Sequence, residues 1–174
     1  MSKTENADHT QYLTFHLAGE EYAVAILKVK EIIEYGTLTK VPQTHPSVRG
    51  VINLRGNVVP VVDLAIKFGM PQSPLTNRTC IVIVEIDLDG DQSVMGIIAD
   101  SVSQVIDLAS SEILAPPAFG TRIKVDFLDG MGKSGNNFVL ILDIEKVLSS
   151  EELESTAALT HAQPVIVSAK RLSQ

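Results

Sequence analysis

Short apolar runs separated by turn residues fill the chain from residue 11 to residue 148, and no long polar linker interrupts them. Alternating or continuous runs of this length, rich in β-branched residues, are typical of strands. They predict strands over 12–17, 22–26, 37–41, 51–54, 58–62, 81–84, 94–98 and 138–142. The segment 27–33 fits either a short helix or a bent strand, so the pattern predicts a mainly β chain.

The second half of the chain repeats the pattern of the first. Three pairs of segments align: 22–26 with 94–98, 29–33 with 102–106 after one inserted residue, and 58–64 with 138–144. The last pair places Asp63 and Asp143 directly after equivalent apolar strands, where Asp is a favoured N-cap of a following helix. Two similar small β-lobes follow from the repeat.

Three regions organise the chain. Residues 1–10 form a polar tail and residues 11–150 form one continuously patterned domain. Residues 151–174 hold the end of a C-terminal helix and a weakly patterned tail, in which we expect partial disorder.

Composition supports strands and limits the cellular setting. Hydrophobic residues make up 45% of the chain but aromatic residues only 5%, so the 19 Val, 16 Ile and 17 Leu must build the core. Cys80 is the single cysteine, which excludes an intrachain disulfide and suits the cytosol. Because no apolar run approaches the roughly 18 residues of a membrane span, we expect neither secretion nor membrane insertion.

The net charge of −7 hides two segments of opposite sign. An acidic chain repels phosphate backbones, so we expect no binding to nucleic acid. Residues 40–78 carry five cations against one carboxylate, a balance of +4, whereas residues 79–115 carry seven carboxylates and no Lys or Arg. Such segregation either orients protein partners or forms ordinary solvated surface.

Motifs that suggest chemistry lack the context that they need. Residues 130–135 match GxGxxG, but a strand follows them where a phosphate site needs a helix, so they predict a flexible hairpin loop. Residues 87–91 resemble an EF-hand start but fit a hairpin turn containing Asp-Gly. The four histidines lack metal-ligand spacing. The sequence therefore predicts no catalytic residue, no cofactor and no metal.

Several segments together resemble the CheW family of chemotaxis coupling proteins. The most specific is NLRG at 53–56 followed by VPVVDL at 59–64. The likeness extends over about residues 11–150 and also includes 21–22, 26–32, 49–52, 96–102, 129–132 and 140–148. It does not cover the segment after Glu151, and the chain is too short for the additional receiver domain of a CheV-type fusion.

This resemblance implies two intertwined SH3-like, five-stranded β-barrel lobes around a central groove, with short helices and a C-terminal helix. It implies a non-enzymatic scaffold that couples chemoreceptor cytoplasmic tips to the regulatory domain of the histidine kinase CheA. We expect a cytoplasmic protein, monomeric when free, that is recruited to membrane-associated receptor arrays. The positions matching the receptor side are Val29, Glu31, Gly50, Arg55 and Val105. Those near the kinase-facing edge are Leu38, Thr39, Lys40 and Arg49.

Each matched residue also has a purely structural interpretation. Arg55 either pairs with a receptor carboxylate or remains solvated, Glu31 either contacts a partner or pairs with a nearby lysine, and Gly50 either contacts a partner or serves backbone geometry alone. The alternative functions are coupling in a pilus-based motility pathway, a small-molecule-binding or catalytic β-barrel, and an oligonucleotide-binding barrel.

Overall fold

The computed structural model describes residues 8–88, 90–116 and 125–148 of the 174-residue chain. Within these ranges the chain forms ten strands: β1 (His9–Leu17), β2 (Glu20–Ala25), β3 (Val29–Glu34), β4 (Val48–Leu54), β5 (Asn57–Val62), β6 (Cys80–Leu88), β7 (Asp91–Ala99), β8 (Ser101–Ala109), β9 (Leu128–Ser134) and β10 (Asn137–Leu142). Two short helices, α1 (Leu64–Lys67) and α2 (Ile144–Leu148), follow β5 and β10. Short 3₁₀ turns occupy Ile26–Lys28, Ser110–Glu112 and Val125–Phe127. The predicted tail after residue 150 lies outside the described residues.

The strands form two five-stranded sheets, which we call lobe 1 (order β3-β6-β7-β5-β4) and lobe 2 (order β8-β1-β2-β10-β9). Strands β1 to β5 are the repeat equivalents of strands β6 to β10, five strands later. When each strand of lobe 2 is replaced by its equivalent, its strand order becomes that of lobe 1. The prediction of a mainly β protein with two repeated five-stranded lobes is therefore confirmed. The lobes are intertwined, since β1 and β2 pair with strands of the second half.

One detail of the predicted repeat is wrong. In the two parallel strand pairs, Ile141 lies opposite Ala23 and Val61 lies opposite Gly96. Because Val61 and Ile141 are repeat equivalents, Ala23 and Gly96 are equivalents too, at the same offset of 73 that relates β3 to β8. No residue is inserted between the two segments. The sequence alignment of β2 with β7 was displaced by one residue, which would place every side chain on the opposite face.

Two predicted elements also differ from the structure. The strand expected over 37–41 is a single isolated bridge, from Thr39 to Val51. The loop expected over 130–135 is mostly the strand β9, and only its end forms a hairpin turn. Glycine serves close approach here: a Cβ on Gly132 would lie 2.4 Å from Leu108 Cδ1. For the ambiguous segment 27–33 the structure has a 3₁₀ turn followed by strand β3.

The largest hydrophobic cluster joins the two lobes. It combines Phe15 and Tyr22 of lobe 2 with Val84 and Ile97 of lobe 1, and both α-helices pack onto it. Smaller clusters fill each lobe separately: Tyr12, Ala23, Leu108, Val139 and Ile141 in lobe 2, and Val59, Val61, Ile81, Ile83 and Ile98 in lobe 1. Since the main core is shared, neither lobe buries its apolar surface alone.

Both predicted helix caps are confirmed. The Asp63 carboxylate accepts hydrogen bonds from the backbone amides of Ala65 at 3.0 Å and Ile66 at 3.4 Å, at the start of α1. The Asp143 carboxylate accepts one from the amide of Lys146 at 3.2 Å, in α2. These contacts satisfy amides that the first turn of a helix leaves without intrahelical partners. Helix capping therefore explains why an aspartate occupies both of these equivalent positions.

Candidate functional site

Glu31 and Arg55 form an ion pair on the surface of lobe 1. Arg55 lies in the β4–β5 turn at φ 52°, and Glu31 lies in the edge strand β3. The guanidinium donates to both carboxylate oxygens, one of them at 3.4 Å, while 69% of the Arg55 side chain stays exposed. The hydrogen bond from Arg55 lowers the pKa of Glu31 below its ordinary value, so the carboxylate is anionic at neutral pH. Two predicted receptor-side residues therefore contact each other.

The repeat gives this ion pair a counterpart in lobe 2. Gln104 of β8 occupies the position equivalent to Glu31, and its Nε2 donates to Ser134 Oγ at 3.4 Å, beside the β9–β10 turn. In both lobes this contact joins one edge strand to the hairpin at the other edge. It is ionic in lobe 1 and neutral in lobe 2. The ion pair thus combines a structural position with an exposed charged surface.

Gly50 packs against the segment that leads from β3 to β4. A Cβ on Gly50 would lie 2.6 Å from the carbonyl oxygen of Thr39 and 3.1 Å from Leu38 Cβ, and the backbone has φ +151°. Thr39 and Val51 exchange two backbone hydrogen bonds, at 2.8 and 3.0 Å, directly beside this contact. A residue predicted for the receptor side therefore positions two residues predicted for the kinase-facing edge.

The guanidinium of Arg49 points into the protein rather than towards a partner. It donates to the buried carboxylate of Asp63 at 3.0 Å and to the hydroxyl of Tyr35 at 3.4 Å, and only 19% of the side chain is exposed. The pairing register of β4 with β5 shifts at this residue, as in a β-bulge, which re-aims the side chain. Any contribution of Arg49 to a partner surface is indirect, through the strand that it holds.

The other predicted kinase-side residues form the outer edge of lobe 1. Thr39 and Lys40 are exposed, and Leu38 is half-buried against the lobe 1 cluster. The bridge at Thr39 holds this segment along β4, an edge strand of the sheet. The segment therefore combines a fixed backbone with accessible side chains.

Val29 and Val105 lie in different lobes. Val29 begins β3 and packs partly against the shared core, whereas Val105 in β8 is 49% exposed. The repeat equivalent of Val105 is Ile32 in β3, which is 44% exposed. The edge strands β3 and β8 thus each present one accessible aliphatic side chain at an equivalent position. Among the described residues, no hydrogen bond, ion pair or core cluster joins Val105 to Glu31 or Arg55.

A groove of about 550 Å³ opens between the lobes where β8 begins. It is lined by His16, Arg78, Cys80, Ser101, Val102 and Ser103. Sequence reasoning predicted a groove between the lobes but named none of these residues for it.

Two absences concern only the part of the chain that the structure describes. In residues 8–88, 90–116 and 125–148, no group of three or more His, Cys, Asp or Glu side chains could hold a metal ion. Over the same ranges, no helix is long and apolar enough to span a membrane.

The structure defines a class of mainly β protein with two intertwined five-stranded lobes and accessible side chains on their edge strands. The CheW-like domain family matches residues 11–152, and the chain belongs to this family. Chemotaxis protein CheW of Klebsiella aerogenes is 38% identical over 143 residues, 82% of this chain and 84% of that protein. Chemotaxis protein CheW of Bacillus subtilis is 34% identical over 145 residues, 82% of this chain and 89% of that protein.

The fold agrees with a solved structure of the same family. The crystal structure of the scaffolding protein TtCheW from Thermoanaerobacter tengcongensis matches with a TM-score of 0.73 and 31% identity, covering 82% of this chain and 90% of that chain. The protein is therefore a chemotaxis scaffold, and the prediction that it is an adaptor rather than an enzyme is confirmed by its family. Its role lies in chemotaxis signalling arrays.

Proposed function

We propose that the protein couples methyl-accepting chemoreceptors to the regulatory domain of the histidine kinase CheA. Recruitment from the cytoplasm to membrane-associated receptor arrays is part of this proposal. The observation that carries it is the pair of accessible edge strands, one in each lobe, on a protein of a scaffold family. A scaffold needs two separate partner surfaces: β3 and β8 offer one, and the outer edge of lobe 1 along β4 offers the other.

The receptor surface combines apolar and charged contacts. Ile32 and Val105 give each lobe an accessible aliphatic side chain, which suits the apolar face of a helical hairpin. The exposed guanidinium of Arg55 can exchange Glu31 for a receptor carboxylate, because its planar fork donates to either carboxylate in the same geometry. Val29 supports the start of β3, and Gly50 supports the adjacent segment.

The kinase surface is the outer edge of lobe 1, formed by Leu38, Thr39 and Lys40. Its backbone is fixed by the bridge to Val51, so little ordering is needed when a partner binds. Arg49 contributes by holding β4 through Asp63. With two surfaces on one body, a change in the receptor biases the kinase through differential contacts.

Co-sedimentation with receptor-bearing membranes and CheA tests the proposal, with kinase activity measured on the same samples. Arg55→Glu and Val105→Asp should reduce recruitment of the protein by the receptor, and Lys40→Glu should reduce its recruitment by the kinase. The controls are Lys133→Glu, on an exposed residue of β9, and Leu75→Asp, on an apolar residue that is 52% exposed outside the proposed surfaces.

Three outcomes separate the parts of this proposal. If the wild-type protein leaves recruitment and kinase activity unchanged, the coupling function is wrong. If the wild type couples and all variants couple equally, the residue assignments are wrong. If the controls lose coupling as completely as the site variants, the effect of charge is not local. Coupling in a pilus-based pathway stays the alternative, and the identity of the recruiting receptor decides it.

A further inference from the structure

Two backbone amides at equivalent places in the lobes are each held by a carboxylate that lies outside the strands of that lobe. The amide of Ala18, in the β1–β2 turn of lobe 2, donates to Asp100 Oδ2 at 2.9 Å. The amide of Asp87, near the end of β6 in lobe 1, donates to Glu145 Oε2 at 3.1 Å. The offset of 69 that relates β1 to β6 makes Ala18 and Asp87 equivalents.

The carboxylate at the lobe 2 amide comes from the link between β7 and β8. Asp100 occupies this link, which carries the chain from lobe 1 to lobe 2. Its Oδ2 also accepts a hydrogen bond from Ser73 Oγ at 3.0 Å, in the connection between α1 and β6. The amide of Asp100 itself donates to the carbonyl oxygen of His16 in lobe 2 at 2.9 Å, so the contact that crosses between the lobes is the one with Ser73.

The lobe 1 amide needs a carboxylate from elsewhere. The residue equivalent to Asp100 is Leu27, which has no acceptor and is 92% exposed. Glu145 of α2, the helix after the last strand of lobe 2, supplies the carboxylate. The same oxygen accepts from Lys28 Nζ at 2.7 Å, in the 3₁₀ turn that carries the chain from lobe 2 to lobe 1. The two equivalent amides, of Ala18 and Asp87, therefore both donate to a carboxylate, but the two carboxylates come from different places in the chain.

We propose that Asp100 and Glu145 are interlobe latches, positioning residues that fix how the two lobes are oriented about the groove. A receptor that contacts both lobes then binds a preorganised surface. This consequence rests on the proposed function. A kinase that contacts the edge of lobe 1 alone does not depend on the latches. The shared hydrophobic core keeps both lobes folded when the latches are removed, so the expected change is in orientation rather than in folding.

Charge supports the assignment of Glu145. The hydrogen bond from Lys28 holds its pKa below the ordinary value, so an anion faces the Asp87 amide at neutral pH. Hydrogen bonds to ionised acceptors are stronger than neutral ones, whereas an ion pair as exposed as this one contributes little alone. The contact with the amide is therefore the part that matters.

The test uses the full chain with Cys80→Ser and two spin labels at exposed positions. One label is at Asn57→Cys, the first residue of β5 in lobe 1, and the other is at Asn136→Cys, in the β9–β10 turn of lobe 2. The double variant Asp100→Ala and Glu145→Ala should broaden the distribution of distances between the labels. Amide hydrogen exchange at Asp87 and Ala18 should become about tenfold faster or more, the factor that one hydrogen bond to a charged acceptor supplies.

Two controls isolate the latch. Glu85→Ala removes a carboxylate whose ion pair with Lys30, at 3.8 Å, lies within lobe 1, and it should leave the distance distribution unchanged. The double variant Lys28→Glu and Glu145→Lys exchanges the charges of the ion pair at Glu145. It keeps an ion pair but places a lysine, which cannot accept a hydrogen bond, at the Asp87 amide. This exchanged pair should behave like Glu145→Ala in the hydrogen-exchange measurement.

Recruitment assays complete the test. They use protein without spin labels, because the labels are needed only for the distance measurement. The unlabelled latch variants should lose recruitment by the receptor and keep recruitment by the kinase. General destabilisation of the protein would instead reduce both. An unchanged distance distribution overturns the latch whatever the partners do. A broadened distribution with full receptor recruitment overturns its consequence for binding. If even the wild type is not recruited, the proposed function fails, while the distances still decide the latch.

Discussion

Replacing Gly50 by alanine tests whether this residue acts through the fold. The new Cβ would lie 2.6 Å from the carbonyl oxygen of Thr39 and 3.0 Å from its carbonyl carbon, so backbone would have to move. The φ of +151° adds backbone strain, for which about 1–3 kcal/mol is typical. Overpacking costs about 1–3 kcal/mol more. We expect Gly50→Ala to lower the free energy of unfolding by about 2–6 kcal/mol.

Three glycines in the same chain separate these contributions. Gly19 has φ +86° and open space, so Gly19→Ala should cost strain alone, about 1 kcal/mol. At Gly96, where no φ in the left-handed region occurs, the new Cβ would lie 2.6 Å from the methyl Cγ2 of Ile81, which isolates the steric part. Gly130 repeats the Gly50 arrangement in lobe 2, with φ +158° and Leu114 O at 2.7 Å, so Gly130→Ala should resemble Gly50→Ala.

Urea unfolding followed by circular dichroism measures all four variants. The urea midpoint should decrease least in Gly19→Ala, more in Gly96→Ala, and most in Gly50→Ala and Gly130→Ala. The dependence of the unfolding free energy on urea concentration should change little. The reasoning is refuted if Gly50→Ala unfolds with the same free energy as Gly19→Ala. If Gly50→Ala keeps wild-type stability and loses receptor recruitment, Gly50 is a contact residue rather than a support.

Other predictions concern single side chains. Asp63→Ala should lower the free energy of unfolding by about 2–4 kcal/mol, because it removes a cap and leaves Arg49 without its carboxylate; Asp143→Ala, which mainly loses a cap, should cost about 1 kcal/mol in the same urea titration. Burial raises the pKa of Tyr22 to about 12 from 10.0, so its contribution to stability is complete below pH 10 and is lost as pH rises towards 12. The variant Tyr22→Phe should weaken this alkaline loss in thermal melts, and an identical loss in both proteins would contradict the assignment. The pKa of Glu145 is depressed from 4.5, so its contribution is present above pH 4.5 and is lost as pH falls through the lower folded value. Melts from pH 6 to pH 3 should therefore be less steep in Glu145→Gln, and parallel curves would refute the role of the carboxylate.

Local patterns predicted the hairpins and caps well because each depends on adjacent residues. The hairpin predicted about Arg55-Gly56-Asn57 forms with a two-residue turn, Arg55-Gly56, between β4 and β5, and the cap at Asp63 forms as predicted. The exchange of strands between halves depends instead on pairing between distant segments, for which alternation within one strand carries no information. The resemblance to a family implied the intertwined lobes where periodicity alone predicted only two similar ones.

The partner of Glu31 shows why side-chain contacts were harder to predict. Sequence reasoning considered Lys28 and Lys30, which are near in the chain. Successive side chains on a strand point to opposite faces, so Lys30 cannot share a face with Glu31. In the structure Lys28 pairs with Glu145 and Lys30 pairs with Glu85. Glu31 is left facing the hairpin at the other edge of its own lobe, which only the closed sheet brings near.

Comparison of the two lobes shows how one repeated frame can carry two different surfaces. The bridge at Thr39 in lobe 1 has an equivalent at Leu114 in lobe 2, and each packs over a glycine with positive φ. Backbone geometry is therefore shared, while the side chains on it have diverged.

The divergence is mainly one of charge. The edge contact is Glu31 with Arg55 in lobe 1 and Gln104 with Ser134 in lobe 2. Charge at a surface selects partners by complementary potential, whereas the conserved frame keeps each surface rigid. A duplicated lobe can thus acquire a second specificity by changing exposed residues alone, since the glycines, caps and shared core that fix the backbone are left intact.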